Sequence, residues 1–405
     1  MTYRELLSKY KEGTLLEEEK LLVEQELEKS EAINDYLAED IEQLFEQRLP
    51  GRTDITIEQS KIEKSIKRTV YKRLATVVAL SVACVFIITL MSQYILSPLV
   101  SSQYYNPTKK TAGQKYFQDF ANDIRIITEV SMPGYGISGG AYAENLGFGK
   151  YNIAYDRKNL FTKETEKISG QLNKNRIVGS PGTTLYVSRG NFVFTEFWNG
   201  EEGGTEYERR LSFSKNNTNV QIAHIKELPD TSYISAWVRF TDDLTMKELN
   251  NIKESNNEIQ FKWIAVRTAE KQGQQLMGFS TDPNGSFVTN DKVDSDRYPG
   301  LQLVDLMGGA GYSLSTTESP MPGYYETHYI SSLKYLVDHK EAVTTLVGVS
   351  KSFDYKSALS YAMENGVSTY GALIFGEADE LLDFYDSGII MTLEIDNVIA
   401  SKYIK

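Results

Sequence analysis

Cysteine occurs once in this chain, at position 84, and histidine three times, at His224, His328 and His339. A single thiol excludes any internal disulfide. Cys84 lies in an apolar run, where a free cysteine behaves as a small hydrophobe. No histidine stands at metal-ligand spacing from another histidine or from the cysteine, so the common zinc patterns are missing. Positive charge is also short: 43 Lys and Arg against 55 Asp and Glu leave a net charge of −12. Phosphate neutralisation needs a basic surface, so no direct nucleic-acid partner is expected. No G-x-S-x-G element occurs, since Gly278-Phe279-Ser280 is followed by Thr281-Asp282. The glycine-rich stretch 133–149 lacks the Lys-Ser/Thr ending of a phosphate loop and reads as turns. His328, two residues after Glu326, reads as part of an aromatic-rich strand or helix start rather than a proton-transfer pair. With these elements missing, neither an enzyme nor a cofactor is expected.

What is present is one long apolar run, Leu74 to Leu96, with no charge across 23 positions. At helical rise it extends about 34 Å, enough for a hydrocarbon core of roughly 30 Å. Lys61, Lys64, Lys67, Arg68, Lys72 and Arg73 crowd its N-terminal flank, while the other flank has no basic residue before Lys109. The positive-inside rule then predicts a single-pass cell-membrane protein with its N-terminus cytoplasmic and its C-terminal part outside. A cleaved signal peptide does not fit a run that starts at residue 74. The basic flank reads as an anchor to membrane lipid.

Residues 1–50 carry 14 acidic and 6 basic positions. Their pattern predicts three short helices. The first covers Thr2–Lys11, with Gly13 after it. A capping box at Thr14 and Glu17 opens the second, which carries Leu16, Val23 and Leu27 on one stripe. Ser30 is read as the cap of the third, in which Ile33, Leu37, Ile41, Leu44 and Phe45 recur at 3–4 spacing. Pro50-Gly51 ends it, and a further helix from about Ile57 continues into the apolar run. So few residues make a weak core alone and call for a partner.

The opening segment YRELLSKYKEGTLLEEEKLLVEQELEKSEAINDYLAED resembles the N-terminal region of membrane-bound anti-sigma factors of Gram-positive bacteria. The stalk, the apolar run and the YYNPT segment resemble the sigma factor regulator N-terminal module. KELPDTSYISAWVRFTDDLTMKELNNI and MPGYYETHYISSLKYLVDHKEAV resemble the C-terminal module. The resemblance implies an anti-sigma factor that holds an extracytoplasmic-function sigma factor at the membrane and releases it on an envelope signal. It implies that the stripe Leu16, Val23, Leu27, Ile33, Leu37, Ile41, Leu44 and Phe45 grips that partner, with Glu39, Asp40 and Glu42 meeting its basic residues. A second membrane regulatory protein is a further expected partner. Many anti-sigma domains carry a His-x3-Cys-x2-Cys zinc site; residues 1–73 contain neither residue type, so no metal is expected there.

Beyond the run, IRIITEV (124–130), YNIAYD (151–156), the segment 183–198 and YERRLSFS (207–214) are strand-like, with a hairpin turn at 188–190. Asn216–Asn219 reads as a linker. Strands follow at 233–240, 261–268, 346–349 and 370–375. Helices follow at 244–252 (capped by Thr245 with Glu248), 331–339 and 355–365, the last closed by Gly366. Of 26 tyrosines, 21 lie in 97–405, which reads as strand filling or a binding surface.

The expected fold is therefore multi-domain. It has a small all-α cytoplasmic head with stalk (1–73), one transmembrane helix (74–96) and two α+β extracytoplasmic modules (97–215 and 220–405). The rival reading is a membrane-anchored cell-wall or glycan-binding surface protein without catalysis.

Overall fold

The computed structural model describes residues 9–10, 17–46, 55–110, 118–178, 205–270, 275–282, 293–307, 319–347 and 353–402. It divides into two units, 1–87 and 88–405.

The N-terminal unit holds helix α1 (Glu17–Glu46) and most of helix α2 (Ile55–Met91). The break expected at Ser30 is absent. No Gly or Pro interrupts Glu17–Glu46, and serine tolerates a helix interior when nothing else stops the backbone. Most of the first expected helix, and the capping box at Thr14, lie outside the described residues. Helix α2 runs without a breaker into the apolar run, as anticipated. The helical stretch Ser65–Ser101 is long and apolar enough to cross a membrane, and none of its apolar window is buried by protein.

In the C-terminal unit the run is completed by a π-helical turn, Ser92–Leu96, and the short helix α3 (Ser97–Ser101). Helix α4 (Asp119–Ser131) follows. Strands β1 (Tyr135–Ile137), β2 (Tyr142–Gly147), β3 (Lys150–Asn159), β4 (Thr165–Asn173) and β5 (Arg176–Val178) form one antiparallel sheet. Its order is β1-β3-β4-β5, and β2 pairs along the same edge of β3 as β1. Helix α5 (Thr205–Lys226) leads to a second antiparallel sheet, ordered β10-β6-β9-β7-β8. Its strands are β6 (Tyr233–Thr245), β7 (Gln260–Val266), β8 (Met277–Phe279), β9 (Ser368–Glu377) and β10 (Ile390–Ile399). Helices α6 (Met246–Ser255), α7 (Leu303–Leu306), α8 (Met321–Asp338), α9 (Lys340–Val347), α10 (Tyr355–Asn365) and α11 (Ala378–Asp386) lie between these strands in the chain.

Three expected strands are helical. Residues 124–130 belong to α4, which is buried on nearly every side. Asp119, Asn122, Asp123, Arg125 and Glu129 do fall on one side of the helix, but the run 124–130 taken alone is rich in Ile, Thr and Val and mimics a strand. Pro133 and Gly134 stop it. Residues 207–214 and the expected linker Asn216–Asn219 both lie in α5. There the Thr218 hydroxyl accepts from the Leu393 amide at 3.0 Å and Gln221 Oε1 from the Ile395 amide at 3.4 Å. The polar helix thus covers outward amides of the edge strand β10, which would otherwise invite pairing with another chain. Leu346 and Val347 end helix α9 rather than opening a strand. The segment 183–198 lies outside the described residues.

Other expectations hold. Thr245 and Glu248 form a reciprocal capping box at α6, Gly366 follows α10 at φ +78°, and β3, β6, β7 and β9 cover the anticipated strands. One hydrophobic cluster runs from Tyr105 through α4 and both sheets to Leu393.

Candidate functional site

Helix α1 carries the predicted partner-binding stripe. Because α1 is continuous, the positions of Val23, Leu27, Ile33, Leu37, Ile41, Leu44 and Phe45 fall on one face, within roughly 120° of arc at 3.6 residues per turn. Val23 is buried, whereas Leu27, Ile33 and Leu37 are 44%, 60% and 51% exposed. Leu16 lies outside the described residues. Glu39, Asp40 and Glu42 lie on the same helix as Ile41, Leu44 and Phe45. The Tyr10 hydroxyl donates to Glu24 of α1 at 3.3 Å. Exposed Leu21 and Tyr36, not anticipated, fall on other sides of the helix.

The C-terminal unit contains a buried polar network centred on α4. Glu129 Oε1 pairs with His328 Nε2 at 2.9 Å, and His328 Nδ1 donates to the Gly300 carbonyl at 2.8 Å. Both ring nitrogens therefore face oxygen atoms. Arg125 Nη1 approaches Glu129 at 3.4 Å and Nη2 donates to the Leu301 carbonyl at 3.3 Å. Burial pushes the Glu129 carboxyl up. The His328 charge and hydrogen bond, Arg125 and the Ser280 amide outweigh that and hold it below its ordinary 4.5. The Trp263 indole donates to the Glu129 carbonyl at 2.7 Å. Six residues earlier on α4, Asp123 accepts from Tyr335 at 2.8 Å and lies 3.0 Å from His339 Nδ1. Tyr105 also donates to it. Burial and the adjacent Asp123 push the Tyr105 and Tyr335 hydroxyls well above their usual range.

His328 is thus tied to Glu129, 199 positions away, and not to Glu326. The network was missed because α4 read as a strand and its partners are remote in the chain. A cavity of about 210 Å³ adjoins it, lined by Asn122, Arg125, Tyr298, Gly300, Gln302 and Asp305. Arg125 Nε and Asn122 Nδ2 are buried without a protein partner, and a polar space of this kind suits ordered water. The network carboxylates are filled by internal donors, which makes it a brace between α4, α8 and the second sheet. Among the described residues no group of three or more His, Cys, Asp or Glu is placed to hold a metal. Among the described residues ten tyrosines, including Tyr151, Tyr329 and Tyr370, are buried. This supports the core-filling reading of the tyrosine excess over an exposed aromatic binding surface.

The chain joins one helix long and apolar enough to cross a membrane to α+β structure that includes a second, five-stranded sheet. Residues 225–397 match the family described as Sigma factor regulator C-terminal. Over 393 residues the chain is 21% identical to the probable anti-sigma-M factor YhdL of Bacillus subtilis (strain 168), covering 94% of this chain and 92% of that protein. No solved structure matches.

Proposed function

We propose that this chain is a membrane-anchored anti-sigma factor. The similarity to a probable anti-sigma factor along 94% of the chain carries this reading, and the regulator domain at 225–397 supports it. Residues 1–73 lie in the cytoplasm and hold an extracytoplasmic-function sigma factor, while residues 97–405 lie outside and respond to an envelope condition. In this reading 97–215 and 220–405 are the two regulator modules, and a second membrane protein docks on them or beside the span.

The inhibitory contact is the stripe on α1. Leu27, Ile33 and Leu37 are solvent-facing apolar side chains on a helix whose acidic neighbours suit a basic partner. An amphipathic helix laid into a groove is a common recognition mode, with anchors at 3–4 spacing. Inhibition is occlusion, a binding equilibrium in which no bond is made or broken. Replacing Leu37 and Leu44 with Asp is expected to raise transcription from sigma-dependent promoters while the protein remains in the membrane. Full repression by the double variant at normal abundance would place the contact elsewhere.

A further inference from the structure

The C-terminal unit folds back onto the residues that follow the apolar run. Ser97 Oγ accepts from the Phe148 amide at 2.9 Å, and Ser101 Oγ accepts from the Gly149 amide at 3.0 Å. These amides belong to the Gly147-Phe148-Gly149 turn between β2 and β3. The next hairpin end lies beside it. The Lys174 amide donates to the Gly149 carbonyl at 2.9 Å, and Asn175 Oδ1 accepts from the Tyr105 amide at 2.8 Å. Two hairpin ends of the first sheet are therefore tied to the exit of the apolar helix.

The turn is built for that approach. A Cβ on Gly147 would stand 2.8 Å from Ser97 Oγ, and the residue has φ +84°. Phe148 itself has φ 53°, a left-handed conformation that Gly or Asn adopts more readily than an aromatic residue. Its ring is held at the tip, 37% exposed, with Leu146 at 44% and Leu99 at 62%. Exposed Lys150, Lys174 and Arg176 flank these apolar groups through the pairs Lys150↔Asn173 and Asn173↔Arg176. Residues 147–150 and 173–176 include no acid; Glu341 reaches this ring, accepting from Asn175 at 3.4 Å.

We propose that Leu99, Leu146 and Phe148, flanked by Lys150, Lys174 and Arg176, seat in the interfacial layer of the lipid bilayer at the C-terminal end of the span. Ser97 directly follows the last apolar residue of the run. An amide 2.9 Å from its hydroxyl lies at the depth where hydrocarbon gives way to headgroups. Apolar and aromatic groups are favoured at that depth, and long basic side chains extend from it to anionic headgroups. The first sheet is then fixed to the membrane surface at two hairpins and does not hang from a loose tether. This rests on the reading that residues 74–96 span the bilayer.

The test uses the full chain with Cys84→Ser and Phe148→Cys. It is labelled with an environment-sensitive fluorophore and reconstituted into vesicles of phosphatidylcholine and phosphatidylglycerol. Lys174→Cys provides a second reporter in case the turn tolerates no cysteine. Met363→Cys, at a site 69% exposed on α10, provides the aqueous reference. The expected result is blue-shifted emission at 148 or 174, with several-fold stronger quenching by headgroup-level nitroxide lipid than at 363. Labels at both 148 and 174 quenched by aqueous iodide as fully as the label at 363, in protein that survives alkaline carbonate washing, would overturn the proposal and leave the span intact. Protein stripped by that washing would overturn the spanning reading and this proposal with it.

Discussion

Glu129 ties α4 to His328 of α8 and to Trp263 of the second sheet. Its side chain is buried against His328 and Arg125, and its carbonyl receives Trp263. Removing one partner of a buried pair strands the others, at about 3–5 kcal/mol. Glu129→Gln is therefore expected to lower the denaturation free energy of the detergent-solubilised C-terminal unit by that amount at neutral pH. A loss under 1 kcal/mol would show that the network contributes little. The pH dependence follows in sign. A carboxyl held below 4.5 in the fold stabilises above that value, and the contribution disappears as pH falls below 4.5 through the folded value. The wild-type unit should lose stability across that acid window, and Glu129→Gln should flatten the curve there. None of this was visible in the sequence, because Glu129 and His328 are neighbours only after the chain closes a loop of 199 residues. The shared face of Leu27, Ile33 and Leu37 on α1 was visible in the spacing of those residues, whereas exposed Leu21 and Tyr36 on other sides were not.

Helices with local signals were readable, and those defined by tertiary surroundings were not. The Thr245/Glu248 box was recognisable because both partners lie within four residues; Thr245→Ala is expected to cost about 1 kcal/mol, measured as a shift in the unfolding midpoint. Helix α4 has no side-chain cap to mark its start, and the β-branched residues of 124–130 outweighed the helical spacing of its polar positions. Helix α5 was hidden by Asn and Thr residues that serve the backbone of β10. Strand β8 depends on a close approach: a Cβ at Gly278 would stand 2.7 Å from the Trp263 ring and would collide with the Ile264 carbonyl. Gly278→Ala should displace the ring and weaken its bond to α4, costing about 1–3 kcal/mol and shifting the near-ultraviolet tryptophan signal. In the N-terminal unit the unbroken α1 makes a separate prediction. Ser30→Pro removes a helical hydrogen bond and kinks the helix, dividing Val23 and Leu27 from Ile33 and Leu37. It should relieve sigma-factor inhibition nearly as well as the Leu37/Leu44 change. Unaltered inhibition would mean that one half of the stripe suffices.

At the scale of the whole molecule, an acidic helical segment precedes a helix long and apolar enough to cross a membrane, and residues 225–397 beyond it match the Sigma factor regulator C-terminal family. The charge asymmetry and the single apolar run made this order readable from the chain alone. The way α4 packs against the second sheet was not, because it is set by contacts between segments more than a hundred residues apart. The central claim is that residues 1–73 hold a sigma factor while the rest of the chain keeps it at the membrane. The most direct measurement is to purify the tagged full-length protein from native membranes under mild salt and identify what accompanies it. Two samples are compared, wild type and the variant with Leu37→Asp and Leu44→Asp. The account predicts one sigma factor in stoichiometric amount with the wild type and its loss from the variant. Recovery of no sigma factor with intact wild-type protein would contradict it.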